Sequence, residues 1–302
     1  MKQARLLVPV FLAAIALLNL STSAAHAQFV TFVSASGSNT PPCDTVATAC
    51  TSLVGAYTQV RDGGVVRCAG PYHLAAGFTI TKSVTIECAL GGGGIDVQSL
   101  TINAPGRTVR LRNLGVNCLG TCGLPVINIL AAASVSLENV QVRVASGSDP
   151  GIRDVRAGPA KLLIIDSIIE GNAGPGIVIA PSSGSIGAML DNVRSADNSY
   201  GLAVGSGGRV MVKRSVFSGN ANAGIEADPG GIVGINGTLL SFNGFGLQNF
   251  GTMTVADSDI DSNSTAVSGT VQSYGNNRIF ANSAEGTPLT TAGPLSSENG
   301  QR

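Results

Sequence analysis

Three acids and an arginine recur at matching places in the second half of the chain. Glu138, Asp166 and Asp191 each stand two residues before an aliphatic residue (Val140, Ile168, Val193), and Arg214 stands two before Val216. Gly237 and Ser258 continue the series ahead of Leu239 and Ile260. If the aliphatic residues stack on successive turns, the charged side chains form one column spaced about 5 Å apart. Carboxylates that close repel, which favours a cation between them or a proton on one. Glu138, Asp166 and Asp191 would then be metal ligands, offering the oxygens that calcium takes. Arg214 would meet a uronate carboxylate, and Asp166, Asp191 and Arg214 are the catalytic candidates. The same column also reads as a solvated corner whose charge keeps an edge soluble.

Two further columns follow from the same spacing. Asn139, Ser167, Asn192, Ser215, Thr238 and Asp259 are small and polar, and read as a corner hydrogen-bond ladder. Arg153, Val178, Ala203, Glu226, Gln248 and Ser268 follow Gly–aliphatic pairs and face outward by strand alternation. Glu138, Arg153 and Glu226 are the substrate-binding candidates. The chain has no Trp, and its Tyr residues at 57, 72, 200 and 274 are scattered, so they make no evident sugar-stacking platform.

Such columns exist only if the chain repeats. LLIIDSIIEGNAGPGIVI starts at Leu162, AMLDNVRSADNSYGLAV at Ala188, VMVKRSVFSGNANAGIEA at Val210 and VGINGTLLSFNGFGLQN at Val233; a worn copy starts at Met253. Asn172, Asn198, Asn220, Asn243 and Asn263 step by 26, 22, 23 and 20 residues. The Gly–aliphatic pairs beginning at Gly151, Gly176, Gly201, Gly224 and Gly246 keep nearly the same step. Independent markers sharing one period mean a solenoid. Apolar residues alternate over four or five positions between Gly, Asn, Asp or Ser corners, which predicts short strands instead of helices. The fold class is therefore all-β: a single-stranded, right-handed parallel β-helix. The Asn column is expected to be structural, because Asn tolerates the left-handed corner conformation and bonds to its stacked copies. The glycines relieve the same strain.

The ends read differently. Lys2 and Arg5 precede an apolar run from Leu6 to Leu18, and Ala25-His26-Ala27 matches a cleavage site before Gln28. Residues 1–27 are thus a signal peptide, and the protein is expected to be secreted or periplasmic. The apolar run is too short to span a membrane, and no later stretch reaches that length, so no membrane span remains after signal removal. Residues 28–78 form an N-terminal cap region. Within it Leu53, Ala56, Tyr57 and Val60 share one helical face, Thr51 or Ser52 caps a short helix, and Asp62-Gly63-Gly64 ends it. Residues 79–283 form the β-helix, with FTITKSVTIEC (78–88) entering as a strand. Residues 284–302 form a polar C-terminal cap or tail. With 18 basic and 18 acidic residues the formal charge is zero, which leaves no electrostatic footprint for nucleic acid.

An even count of six cysteines in an exported protein favours disulfides over metal. Cys43, Cys50, Cys68, Cys88, Cys118 and Cys122 allow many connectivities. The expected set is the local one: Cys43–Cys50, Cys68–Cys88 and Cys118–Cys122.

The N-terminal run from Thr31 to Cys88 and the DNVRSADNSYGLAV-type repeats resemble secreted bacterial right-handed β-helix repeat proteins of the pectin-lyase-like superfamily. The resemblance covers about residues 29 to 283 and implies the fold and an acidic polysaccharide as partner. Members with known activity are lyases, hydrolases, esterases or epimerases of such polymers, and many members have none established. The branch signatures are missing. His73 lies in PYHL without the Gly-His-Gly of polygalacturonases, there is no Trp for the methylesterase signature, and the Arg-x-Pro-x-x-Arg of pectate lyases is absent. The resemblance thus carries no catalytic residue to this chain. The reading is an exported carbohydrate-binding or structural surface protein without a recognisable catalytic site. The alternative is a calcium-dependent lyase or epimerase using the column of Glu138, Asp166, Asp191 and Arg214.

Overall fold

In the computed structural model, which describes residues 28–38, 42–69, 77–88, 94–96, 99–121 and 124–292, the chain winds as a right-handed parallel β-solenoid. One turn shows the plan. Ile186–Asp191 and Arg194–Ala196 lie in a 19-stranded sheet that folds over a corner, and Tyr200–Val204 lies in a 10-stranded sheet. We call these the wide and narrow sheets. Each strand pairs in parallel with its counterpart one turn on: Ile186–Asp191 registers on Gly208–Lys213, and Tyr200–Val204 on Ala223–Ala227. Within a strand, alternate residues enter the tube. Ile186, Ala188 and Leu190 are buried while Gly187 is exposed. The core is a narrow column of Val, Ile, Leu and Ala, and Phe217 is an aromatic ring wholly inside it. Small aliphatics suit it because parallel strands covered on their inner face need side chains that interlock at rung spacing.

Two corner rows hold left-handed residues. In the wide sheet's corner they are Asn113, Asn139, Asp166, Asn192, Arg214, Gly237, Asp257 and Asn276. The next residue in four turns is a buried hydroxyl (Ser167, Ser215, Thr238, Ser258), and in others an aliphatic (Leu114, Val140, Val193). Ser167 Oγ donates to Ile165 O at 2.7 Å and accepts from Val140 N at 3.0 Å, and Ser215 repeats the pattern. These hydroxyls satisfy backbone groups that the bend takes out of the ladder.

The second corner carries the asparagine ladder, which extends to Asn282. Asn220 Nδ2 donates to Asn243 Oδ1 at 2.9 Å, Asn243 to Asn263 at 3.0 Å, and Asn263 to Asn282 at 3.0 Å. The backbone N–H groups of Asn220, Asn243 and Asn263 donate to the same oxygens, and that of Asn198 to Asn220 Oδ1. The structural role is as expected, but its cause differs. The left-handed residues are Gly171, Asp197, Gly219, Phe242, Ser262 and Ala281, each one position before its asparagine. The carboxamide points inward to serve buried backbone. The repeated glycines likewise make room instead of relieving φ: a Cβ on Gly201 would lie 2.9 Å from Asn220 Nδ2 and 2.7 Å from Phe217.

At the N-terminal end, helix α1 (Leu53–Gln59) closes the tube. Ser52 caps it by accepting from Gly55 N, and Leu53, Ala56 and Tyr57 are buried. Tyr57 stands edge-on to Phe78 at 5.1 Å, and its hydroxyl accepts from Thr81 N at 2.7 Å. The helix stops earlier than expected, at Val60, which turns extended and opens the strand Val60–Cys68. Asp62-Gly63-Gly64 therefore lies inside a strand. The stretch 78–88 is two strands, Phe78–Ile80 in the narrow sheet and Val84–Glu87 in the wide one, because Lys82 turns the corner and donates to Tyr57 O and Val60 O. Stacking runs from Gln28–Val33 to Thr290–Thr291.

Disulfides join Cys43 to Cys50 and Cys68 to Cys88. Cys118 is also disulfide-bonded, and its expected partner Cys122 lies outside the described residues. The expected signal peptide, His73 and residues 293–302 are outside them too.

Candidate functional site

The four charged candidates do not share a column. Strand register puts Glu138, Ile165 and Asp191 in one row of the wide sheet, followed by Lys213 and Asn236. Asp166 and Arg214 belong to the neighbouring left-handed row, on either side of Asn192. The reason is the corner position just described. Where it holds a hydroxyl, the first aliphatic residue comes one place later, so Ile168 registers on Gln141 and Arg194 instead of on Val140 and Val193. The buried row after the corner is Val142, Ile169, Ser195, Phe217, Leu240 and Ile260. The polar column expected one residue on divides in the same way. Asn139 and Asn192 are left-handed, Ser167, Ser215 and Thr238 follow that row, and Asp259 lies beyond, beside Leu239.

Each acid of this group is occupied by a donor. Glu138 Oε2 accepts from Arg112 Nε at 2.7 Å and Oε1 from Ser136 Oγ at 2.7 Å. Desolvation pushes the Glu138 pKa up, but the bonds from Ser136 and Arg112 together outweigh it, and the carboxyl lies below its ordinary range. Asp166 Oδ1 accepts from Asn192 Nδ2 at 2.7 Å, and Asp191 Oδ2 is hydrogen-bonded to the Arg214 guanidinium. Glu138 and Asp191 are two rungs apart, roughly 10 Å, whereas calcium needs its oxygens about 2.3–2.6 Å from one centre. Among the described residues no three His, Cys, Asp or Glu side chains converge. The geometry therefore does not fit the calcium site drawn from the spacing.

Charge pairing between rungs is the rule on the wide sheet. Arg67, Glu87, Arg112 and Glu138 alternate on four successive turns, with contacts of 3.7, 4.0 and 2.7 Å. Arg143 pairs with Glu170, and Arg278 with Asp259, whose pKa the Arg278 hydrogen bonds lower. A pair that the spacing analysis missed lies inside the tube. Arg156 is 1% exposed and Asp154 0%. Arg156 Nε and a terminal nitrogen donate to both Asp154 oxygens at 2.9 and 2.6 Å, and the guanidinium also reaches Ala132 O and Lys161 O. The signal was legible: Asp154 occupies the inward phase of its strand, in the row of Ile129 and Ile179.

The outward row of the narrow sheet is as expected: Arg153, Val178, Ala203, Glu226, Gln248 and Ser268 register in sequence. Arg153 stands three rungs from Glu226, roughly 14 Å, so the two cannot grip one group together. Around Glu226 the surface is different from the rest. Tyr200, Ala223 and Phe245 form the row at the strand start. Asp228 follows Glu226 along the turn, and Phe250, 57% exposed, lies on the next turn, where its N–H bonds Ala227 O. Burial, and then the charge of Asp228, push the Glu226 carboxyl above its ordinary range. Burial and then Glu226 do the same to the Tyr200 phenol, which is bonded to Asn222. Counting Tyr and Trp alone overlooked this surface, because Phe supplies most of its rings.

These features define a right-handed parallel β-helix with regular outer rows of side chains. The family described as "Right handed beta helix region" matches residues 127–300, and the chain belongs to it. The crystal structure of the pectate lyase Pel9A is similar, with a TM-score of 0.63 and 15% identity over 88% of this chain and 81% of that one. At that identity the likeness shows the fold alone. No curated protein matches the sequence. Among the described residues no helix is long and apolar enough to cross a membrane.

Proposed function

We propose that this is an exported β-helix protein that holds carbohydrate on its narrow sheet and serves as a rigid binding or surface element without catalysis. One observation carries the reading. Glu87, Glu138, Glu170, Asp191 and Asp259 on the wide sheet each pair with an arginine of a neighbouring rung, whereas Glu226 on the narrow sheet has no ion pair among the described residues and sits among aromatic side chains. A β-helix related in fold to a polysaccharide-acting protein supports a carbohydrate ligand, and the two disulfides support an oxidising compartment.

The test is retention of the protein from Gln28 onward on immobilised polysaccharides: pectate, alginate, glycosaminoglycan, cellulose and an amino glycan. Unsaturated uronate absorbance is followed in parallel, with calcium or with chelator. Retention on at least one polymer with a flat absorbance trace is expected. Chelator-sensitive absorbance that disappears in Asp191→Ala would overturn the non-catalytic reading in favour of a lyase. Retention on none would overturn the carbohydrate reading.

A further inference from the structure

From residue 171 onward the basic residues of the described chain are all on one side. Between residues 171 and 292 the Lys and Arg residues are Arg194, Arg209, Lys213, Arg214 and Arg278, and every one belongs to a strand or corner of the wide sheet. The narrow sheet and the connections beside it carry Asp197, Glu226, Asp228 and Glu285 over the same stretch, and no cation. From residue 171 on, the narrow-sheet side of a protein of zero formal charge thus carries acids and no base, with Glu226 and Asp228 together on one turn.

We infer that this face binds a glycan bearing free amino groups, a polymer of the glucosamine type, and not a uronate polymer. The inference rests on the carbohydrate reading above and names its ligand class. Its first support is charge. A uronate carboxylate beside Glu226 and Asp228 would add a third like charge, whereas an ammonium relieves the repulsion already present between them. The Glu226 carboxyl is raised first by burial and then by the charge of Asp228, the repulsion that an ammonium would relieve. Its second support is apolar. Exposed Phe250 and partly buried Phe245 on the turn after Glu226, and partly buried Tyr200 on the turn before, place aromatic rings beside it, the partners that the C–H face of a pyranose and an ammonium both favour. Its third support is shape. Ala203 keeps the surface beside Glu226 low, and Gln248 and Asn222 supply hydrogen-bonding groups at its edges. The rung spacing of about 4.8 Å is close to the advance of one pyranose in an extended chain, so a polymer lying along the solenoid axis passes from the turn of Tyr200 to that of Glu226 and Asp228 and then to that of Gln248 and Phe250.

The experiment is calorimetric titration of the full exported chain with three oligosaccharides of equal length, built from glucosamine, N-acetylglucosamine or galacturonate, and with an oligolysine of matched charge. The glucosamine oligomer is expected to bind at least tenfold more tightly than its N-acetylated form and the uronate. That preference is expected to vanish in Glu226→Gln/Asp228→Asn, a variant whose melting temperature does not fall. Phe250→Ala is expected to weaken the glucosamine oligomer several-fold without changing oligolysine binding. Equal or tighter binding of the N-acetylated or uronate oligomer would overturn the inference and leave the carbohydrate reading standing. Oligolysine bound as tightly as the sugar, with no effect of Phe250→Ala on either, would also overturn it and point to a cationic protein. Binding of none of the oligosaccharides would overturn the inference, and the retention test on the wider set of polymers then decides the carbohydrate reading separately.

Discussion

The outward-facing carboxylates that pair across rungs of the wide sheet and the Glu226 carboxylate of the narrow sheet are the same chemical group in opposite surroundings. On the wide sheet Glu87, Glu138, Glu170, Asp191 and Asp259 each meet an arginine of a neighbouring turn. On the narrow sheet Glu226 meets Ala203 on one side and Gln248 on the other, with Asp228 beside it. A stack makes the next rung a compulsory neighbour, so a row is either complementary or it is not. Complementary rows add to cohesion, and a row left unmatched is available to a ligand. The difference also separates residues that hold the fold from residues that a ligand would use.

The comparison is broken most severely inside the tube, where the paired rule is enforced without water. Arg156→Met leaves Asp154 buried and alone, at a cost of roughly 3–5 kcal/mol, read as a large fall in urea midpoint. Asn220→Ala removes the bonds to Asn243 and to Ser195 O and leaves the Asn198 N–H unsatisfied. Orphaning such groups costs about 1–3 kcal/mol each, and the same titration reads it. Glu138→Gln removes the closer of the two carboxylates that Arg112 meets, at a half-exposed site, so the loss is at most about 1 kcal/mol.

pH sharpens the contrast further. The folded pKa values of Glu138 and Asp259 are depressed. Their contribution is present above the ordinary carboxylate pKa and is lost as pH falls through the folded value. Glu226 is raised, so its contribution is present in acid and is lost as pH rises through its folded pKa. Stability measured from pH 3 to pH 7 should therefore rise less steeply in Glu138→Gln than in the unchanged protein. Glu226→Gln, the smallest effect, should leave stability at neutral pH equal or slightly higher. A clear loss there would mean that Glu226 is a structural acid like those of the wide sheet.

Much of the architecture was legible because its requirements repeat. A buried carboxamide is needed at the same point of every turn, and the close approach of that carboxamide excludes a Cβ from the glycine row, so Asn198, Asn220, Gly201 and Gly224 announce the period. The cap helix was legible in the spacing of Leu53, Ala56 and Tyr57, although its end was not, since Val60 could pair with Gln28 only once the first rung existed. The charged column was misread at one place, the corner residue after the left-handed position. There Ser167 and Ser215 are buried as completely as Val140 and Val193, because a hydroxyl bonded to two backbone groups is as welcome inside as a methyl.

By itself, then, the amino-acid order determined that the chain coils, with what period, and with which small residues at the bends, since these follow from local backbone conformation and aliphatic alternation. Only the stacked structure decided which charges meet. A shift of one residue at a corner moves a side chain into another row, and no local preference distinguishes the two rows until the rungs above and below are in place.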